Sequence, residues 1–213
     1  MLARLVDALF PPRCAACTRG EGPFCPTCAQ TLVRVIGRSG EEPPPGVDAV
    51  LAPFAYEGAA RRAVLNLKFS GARQVVGALA TPMVESARTG AIDAGDAARA
   101  VTWAPLGRRR RRERGFDQGK LLAHAVARHL ELPVLRLLDR TRETAPQARR
   151  GAAERRVAMA GAFTARRPAP PTVLLVDDVV TTGATVAACA AALRAAGARR
   201  VVVLAAARAL ARS

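Results

Sequence analysis

The stretch Thr172-Val-Leu-Leu-Val-Asp-Asp-Val-Val-Thr-Thr-Gly-Ala-Thr185 decides the fold of this 213-residue chain. Its apolar, β-branched first half predicts a buried strand over 172–176, and ligands of open α/β sheets bind at the carboxyl ends of such strands. Asp177 and Asp178 follow as two adjacent carboxylates. Because carboxylates accept hydrogen bonds from vicinal sugar hydroxyls, both are candidate catalytic and ribose-binding residues.

A loop of small residues comes next in the chain. It comprises Thr181, Thr182, Gly183, Ala184 and Thr185. Residues of this size let backbone N–H groups close around a phosphate, and the helix predicted over 185–196 adds the positive end of its dipole. Two acids beside such a cradle predict a phosphorylated sugar as the ligand. Two metal-binding acids at the end of a buried strand are the alternative, although they leave the loop unexplained.

Strands and helices alternate through the rest of the chain. Further strands are predicted over 49–55, 101–104, 134–138 and 200–206. Further helices are predicted over 59–69, 74–88 and 118–130. This alternation indicates βαβ units, so residues 47–213 are predicted to form one α/β domain with a mainly parallel sheet flanked by helices. Neither a Walker A loop nor a GxGxxG motif occurs, so nucleotide binding by those two devices is not supported.

Four of the five cysteines form two CxxC pairs near the N-terminus. They are Cys14, Cys17, Cys25 and Cys28. Two such pairs supply the tetrahedral four-thiolate shell that Zn²⁺ prefers. We therefore predict that residues 1–40 form a small zinc-ribbon module with a structural metal. A short helix is predicted over 2–10. Two disulfides, a redox-active pair or an iron–sulfur cluster are the alternatives. The Pro- and Gly-rich residues 38–46 are interpreted as a linker.

The chain is strongly basic, with 33 basic and 17 acidic residues and a net charge of +16. A polyanionic partner would account for this charge, but 31 of the basic residues are arginine, which is also typical of coding bias. The run 108–114 predicts either a solvated loop or a phosphate contact ahead of a helix that starts at Gly115. Lys68, one of only two lysines, is a candidate phosphate ligand.

The chain offers no segment that is expected to cross a membrane. Its longest uncharged, largely apolar run covers 179–193, which is too short to span a bilayer. The N-terminal residues do not form a secretory signal pattern, because Asp7 interrupts the apolar stretch. A cytoplasmic location is therefore expected.

The order of several motifs resembles the ComF competence-protein family of type I phosphoribosyltransferase-like proteins. After the two CxxC pairs come Tyr56-Glu-Gly, Leu67-Lys-Phe-Ser-Gly71, Pro105-Leu, Glu113-Arg-Gly-Phe-Asp-Gln118, Gly161-Ala-Phe163 and the 172–185 stretch. The resemblance covers nearly the whole chain. Two residues depart from the family pattern, since Asp117 and Ala158 stand where asparagine is usual. Either change could weaken a hydrogen bond in the site.

The resemblance implies a type I phosphoribosyltransferase-like fold and a role for each motif. Asp177 and Asp178 would bind the ribose hydroxyls of phosphoribosyl pyrophosphate (PRPP), directly or through Mg²⁺, and residues 181–185 would hold its 5′-phosphate. The loop after Pro105 would face the pyrophosphate, and residues 142–156 would form a mobile hood. Arg114, which matches the family's motif around Gly115, is a candidate phosphate ligand. The implied activity is transfer of phosphoribose to an unidentified nitrogenous acceptor. The family also implies a role in DNA uptake, with single-stranded DNA and competence proteins as partners; a non-catalytic DNA-binding or PRPP-sensing protein is the alternative.

Overall fold

The computed structural model describes residues 13–35, 42–70, 73–89, 98–141, 159 and 161–210, without the side chains of residues 70, 73 and 74. The helices are α1 (Pro26–Ala29), α2 (Gly58–Ser70), α3 (Arg73–Thr89), α4 (Arg108–Arg114), α5 (Gln118–Leu130) and α6 (Ala184–Ala195). The strands are β1 (Ala49–Leu51), β2 (Phe54–Ala55), β3 (Ala100–Trp103), β4 (Leu138–Arg140), β5 (Phe163–Ala165), β6 (Thr172–Val180) and β7 (Arg200–Arg208). The helix predicted over 2–10, the whole of the hood predicted over 142–156 and Ala158 lie outside the described residues.

A parallel sheet, built from strands between residues 49 and 208, forms the centre of the fold, as predicted. Its strand order is β1-β7-β6-β3, and β2 pairs with β7 beyond β1. The two central strands, β6 and β7, are nine residues long and run parallel in register from Thr172 opposite Arg200 to Val180 opposite Arg208. Because both have neighbours on each side, they are buried and almost continuously apolar, which is typical of parallel sheets.

Helices cover both faces of this sheet. Leu174 and Val176 of β6 belong to the core that contains α2, α3 and α5, whereas Val173 and Leu175 belong to the core that contains α6 and the β4–β5 hairpin. This alternation follows from the two-residue period of a strand. The predicted α/β class, with a parallel sheet flanked by helices, is confirmed.

Three local predictions are corrected by the structure. The predicted strand over 134–138 is largely wrong: Val134 makes only one bridge, to Val101, and the strand starts at Leu138, where β4 pairs antiparallel with β5. The strand over 49–55 is interrupted at Pro53, which has no backbone N–H to donate. The arginine run is neither a loop nor followed directly by a helix, because it forms α4, ends at Gly115 with φ 74°, and α5 begins at Gln118.

The four-cysteine segment lies against the N-terminal end of α2. Cys14, Ala16, Cys25 and Cys28 form a small buried cluster with Ala59. An antiparallel bridge between Arg13 and Glu21 closes the loop that follows the first CxxC pair. None of the described helices is both long and apolar enough to cross a membrane.

Candidate functional site

The two adjacent aspartates lie at the carboxyl end of β6, within the strand and not after it. Asp178 is 6% exposed and points towards α2 and α5. Its Oδ1 lies 3.2 Å from Nζ of Lys68, and its Oδ2 accepts a 2.8 Å hydrogen bond from Nε2 of Gln118. Burial would make an unpaired carboxylate costly, so these two partners keep Asp178 in place.

Asp177 points to the other face of the sheet. Its Oδ1 accepts a 2.8 Å hydrogen bond from the backbone N–H of Asp178. Burial, and secondarily the negative charge of Asp178, raises the pKa of Asp177 to about 8. A carboxyl group held in this way favours a bound cation or a hydroxyl-rich ligand, because either would compensate the charge of the ionised form.

The loop after β6 turns sharply into α6. Gly183 has a φ of 72°, and a Cβ at this position would lie 2.4 Å from Cγ of Pro44. Only glycine combines this backbone conformation with such close contact. Thr181 is exposed, Thr182 and Thr185 are half-buried, and Ala184 is buried at the first turn. No side chain among the described residues caps α6, so its first N–H groups are open to an anion.

Arg114, at the end of α4, lies close enough to Asp178 for their charges to interact. Its guanidinium carbon is 5.8 Å from the centroid of the Phe69 ring, which is 78% exposed. Burial lowers the pKa of Arg114, and the charge of Asp178 partly offsets this effect. The structure therefore brings Lys68 and Arg114 together at Asp178, although they are 46 residues apart in the sequence.

Gln118 is a site residue that sequence reasoning did not single out, although the Gly-Phe-Asp-Gln118 motif contains it. It is 5% exposed, and its Oε1 is buried without a hydrogen-bond partner among the described residues. The preceding Asp117 caps α5 by accepting from the backbone N–H of Lys120, and its Oδ2 also faces Nε1 of Trp103 and the N–H of Leu106, each at 3.3 Å. All three partners are donors, so a carboxylate at 117 suits its surroundings.

A separate cavity of about 1000 Å³ opens between α4, α5 and the β4–β5 hairpin. Seven cationic side chains line it: Arg108, Arg111, Lys120, Arg136, Arg140, Arg166 and Arg167. Asp117 and Asp139 are the acids in its lining, and Asp139 is engaged by both Arg136 and Arg166. We call this the cationic cavity. Neither Asp177 nor Asp178 lines it.

The four N-terminal cysteines form one cluster, as their spacing predicts. One sulfur atom from each lies within 4.8 Å of the other three, and Cys17 Sγ and Cys25 Sγ are 3.8 Å apart. A Zn–S bond of about 2.3 Å in tetrahedral geometry requires sulfur separations of about 3.8 Å, so the donor set fits Zn²⁺. All four sulfur atoms converge on one point, which one four-coordinate ion requires and two separate disulfides do not.

The thiols differ in their environments. Backbone N–H groups of Gly20 and Arg19 lower the pKa of Cys17 to about 6. Burial raises the pKa of Cys28 to about 11, although Nη2 of Arg62 lies 3.8 Å from its sulfur. Binding of a divalent cation would favour the thiolate form of all four.

No family model matches the chain, and no curated protein matches its sequence. Among solved structures, the chain is similar to a glutamine PRPP amidotransferase from B. subtilis complexed with ADP and GMP, with 20% identity and a TM-score of 0.45 over 67% of this chain and 30% of that one. An adenine phosphoribosyltransferase from Leishmania donovani matches with 16% identity and a TM-score of 0.41 over 84% and 65% of the two chains. An orotate phosphoribosyltransferase from Aeropyrum pernix matches with 15% identity and a TM-score of 0.39 over 98% and 93%. This chain thus spans less than a third of the amidotransferase, and membership of the ComF family stays a prediction.

Proposed function

We propose that this chain binds PRPP with Mg²⁺ at the carboxyl end of β6 and transfers its phosphoribosyl group to a nitrogenous acceptor. The observation that carries the proposal is the continuity of Asp177, Asp178 and the uncapped start of α6 on one strand–loop–helix unit. Carboxylates suit the two ribose hydroxyls, and the N–H groups after Val180 suit the 5′-phosphate.

The charges around these aspartates suit the rest of the ligand. Lys68 and Arg114 would contact phosphate oxygens once a ligand competes for Asp178, since both are cations beside that carboxylate. Asp177 and Asp178 offer the oxygen ligands that Mg²⁺ prefers, and the ion would stabilise the departing pyrophosphate. Gln118 would hold Asp178 while the ligand enters, because its amide approaches from the opposite side to Lys68.

Binding of PRPP can be measured directly by isothermal titration calorimetry with and without Mg²⁺. We expect Mg²⁺-dependent binding that is lost in Asp177→Asn/Asp178→Asn and retained in Asp139→Asn, a matched control whose carboxylate lies in the β4–β5 hairpin. Pyrophosphate release in the presence of a panel of nitrogenous bases then tests transfer. Binding without release would favour a PRPP-sensing protein, and absence of binding would overturn the proposal.

We also propose that Cys14, Cys17, Cys25 and Cys28 hold one structural Zn²⁺. Four protein ligands would leave the ion no open position for chemistry. Elemental analysis should find about one zinc per chain, and Cys14→Ser should abolish it whereas Cys189→Ser, which alters the buried cysteine of α6, should not. Iron at the same stoichiometry would identify a different cluster.

A second candidate function is the binding of single-stranded DNA in the cytoplasm during competence. The cationic cavity favours it, because Arg111, Arg167 and Lys120 are exposed and no ion pair involves them among the described residues. Fluorescence anisotropy with a labelled oligonucleotide should show affinity that falls steeply with salt. Replacing Arg111 and Arg167 by serine should reduce the slope of log K against log salt by about 1.4, at about 0.7 per lost phosphate contact.

The control for this experiment is Arg61→Ser, because Arg61 is exposed on α2, away from the lining of the cavity. An unchanged slope in the Arg111/Arg167 variant, or equal losses in the control, would exclude the cationic cavity as the DNA site. The PRPP proposal does not depend on this result, since neither aspartate lines the cavity.

A further inference from the structure

Helix α2 connects the cysteine module, defined here as residues 13–31, to Asp178. At its start, Oγ1 of Thr31 accepts a 3.2 Å hydrogen bond from the backbone N–H of Ala59. A Cβ on Gly58 would lie 2.2 Å from the carbonyl oxygen of Thr31, so the backbones of the module and the helix are too close for a side chain to fit between them. The module therefore caps the first turn of α2 at the N–H of Ala59.

The middle of α2 makes two further contacts to the same module. Nη2 of Arg62 lies 3.8 Å from Sγ of Cys28. The amide of Asn66 donates to the carbonyl oxygens of Ala15 and Ala16, at 2.8 and 3.1 Å. These two carbonyls lie between Cys14 and Cys17, so their position depends on how the first CxxC pair is held.

The end of α2 reaches the candidate ligand site. Lys68 is two residues after Asn66, and its Nζ lies 3.2 Å from Asp178 Oδ1. Between these polar contacts, Val64 and Leu67 are fully buried in the core against the sheet. A 13-residue helix is about 20 Å long, and it can transmit the position of one end to the other because its backbone hydrogen bonds keep it rigid.

We propose that Asn66 is a positioning residue that fixes α2 to the first CxxC pair, so that metal loading of the cysteine module strengthens ligand binding at Asp178 through Lys68. The reference ligand is PRPP with Mg²⁺, and to that extent the inference rests on the proposed function. Loss of the metal releases the loop that carries the Ala15 and Ala16 carbonyls. The two carbonyls that accept from Asn66 then lose their fixed positions, and the Lys68 ammonium loses its defined place.

The test uses the zinc-loaded full chain and compares Asn66→Ala and Asn66→Asp with Arg61→Ala. Aspartate has the shape of asparagine but offers no N–H to the two carbonyls, and Arg61 is an exposed neighbour on the same helix. We expect both Asn66 variants to weaken PRPP–Mg²⁺ binding by about 3- to 10-fold, the effect of one or two hydrogen bonds. Each should retain zinc, and Arg61→Ala should bind as the wild type does.

A double-mutant cycle separates positioning from a general loss of structure. If Asn66 acts through Lys68, the effect of Asn66→Ala should largely disappear in a Lys68→Met background. Additive effects, or wild-type affinity in both Asn66 variants, would overturn the inference.

Hydrogen exchange provides a readout that needs no ligand. Removing zinc from the wild type with a chelator, or introducing Asn66→Ala, should raise amide exchange in peptides covering 58–70 and 172–180, while peptides covering 184–195, which pack on the other face of the sheet, should change little. If PRPP does not bind the wild type, the proposed function fails, but the exchange experiment still tests whether the cysteine module is coupled to α2 and β6. Unchanged exchange in 58–70 after metal removal would refute it.

Discussion

Replacement of Lys68 by methionine should destabilise the protein, because it leaves the buried carboxylate of Asp178 without the cation that contacts it directly. The side chain of Asp178 is 8% exposed, whereas that of Lys68 is 19% exposed. Breaking a buried ion pair by removing one partner costs about 3–5 kcal/mol. Since Gln118 still donates a 2.8 Å hydrogen bond to Asp178 and water reaches Lys68, we expect about 2–3 kcal/mol.

The opposite replacement should cost less. In Asp178→Asn the lost charge is the more deeply buried one, and the flexible stem of Lys68 can carry the ammonium towards solvent. An asparagine oxygen can also continue to accept from Gln118. We therefore expect Asp178→Asn to cost about 1 kcal/mol. The double variant should be more stable than the sum of the two by about 1–2 kcal/mol, because no charge remains to be buried alone.

Chemical and thermal unfolding of the four proteins, measured in buffer without PRPP, tests this asymmetry. A loss of 2–3 kcal/mol in a chain of this size corresponds to a fall in Tm of about 5–10 °C. A Lys68→Met variant that unfolds at the wild-type Tm would refute the reasoning, because Asp178 would then tolerate burial with only Gln118 and the charge of Arg114. Additive losses in the double variant would also refute it.

Three further predictions concern the same regions. In metal-free buffer, the pKa of Asp177 is near 4 in the unfolded chain but about 8 in the folded protein, so the folded state binds more protons between these pH values. The free energy of unfolding, measured with urea, should therefore decrease as pH rises from about 4 to 8 in the wild type, and much less in Asp177→Asn. In zinc-free protein at pH 7, iodoacetamide should modify Cys17 first, since its pKa is about 6, and Cys28 and the buried Cys189 much more slowly; peptide mass spectrometry measures the order, and equal rates would contradict it. Gly183→Ala should destabilise the protein by about 1–3 kcal/mol, because Gly183 has a positive φ and a Cβ there would meet Pro44. Gly77→Ala in α3, where a Cβ meets nothing within 4 Å, should stabilise it by up to about 1 kcal/mol, and calorimetry of both variants tests the difference.

The sequence was most informative where a single segment carried the whole signal. The 172–185 stretch predicted strand, acids, loop and helix in order, and the two CxxC pairs predicted a cluster, because in each case the residues that meet are neighbours in the chain. The sequence predicts that β6 ends too early, at residue 176, because aspartates have low strand propensity. Pairing of Asp177 with Ala205 and Val180 with Arg208 in β7 extends the strand regardless.

The partners of Asp178 could not be placed from local patterns. Lys68 and Gln118 come from α2 and α5, and they reach opposite oxygens of one carboxylate across 110 and 60 residues. Only the packing of both helices on the same face of the sheet brings them together. Lys68 was a candidate because lysine is rare in this chain, but nothing in its surroundings indicated an acid partner. Gln118 looked like an ordinary first residue of a helix.

The arginine run 108–114 shows most clearly why the sequence alone does not indicate which of the basic residues behind the charge of +16 belong to a functional site. Helical periodicity is detected when polar and apolar residues alternate, and six arginines in seven positions contain no such alternation. In the folded chain, α4 nevertheless has distinct sides. Arg108 and Arg111 line the cationic cavity, whereas Arg114 interacts with Asp178 and lies over Phe69. With about 100° between successive residues, Arg114 is turned by about 60° from Arg111 and 120° from Arg108, so one short helix supplies positive charge to two separate places.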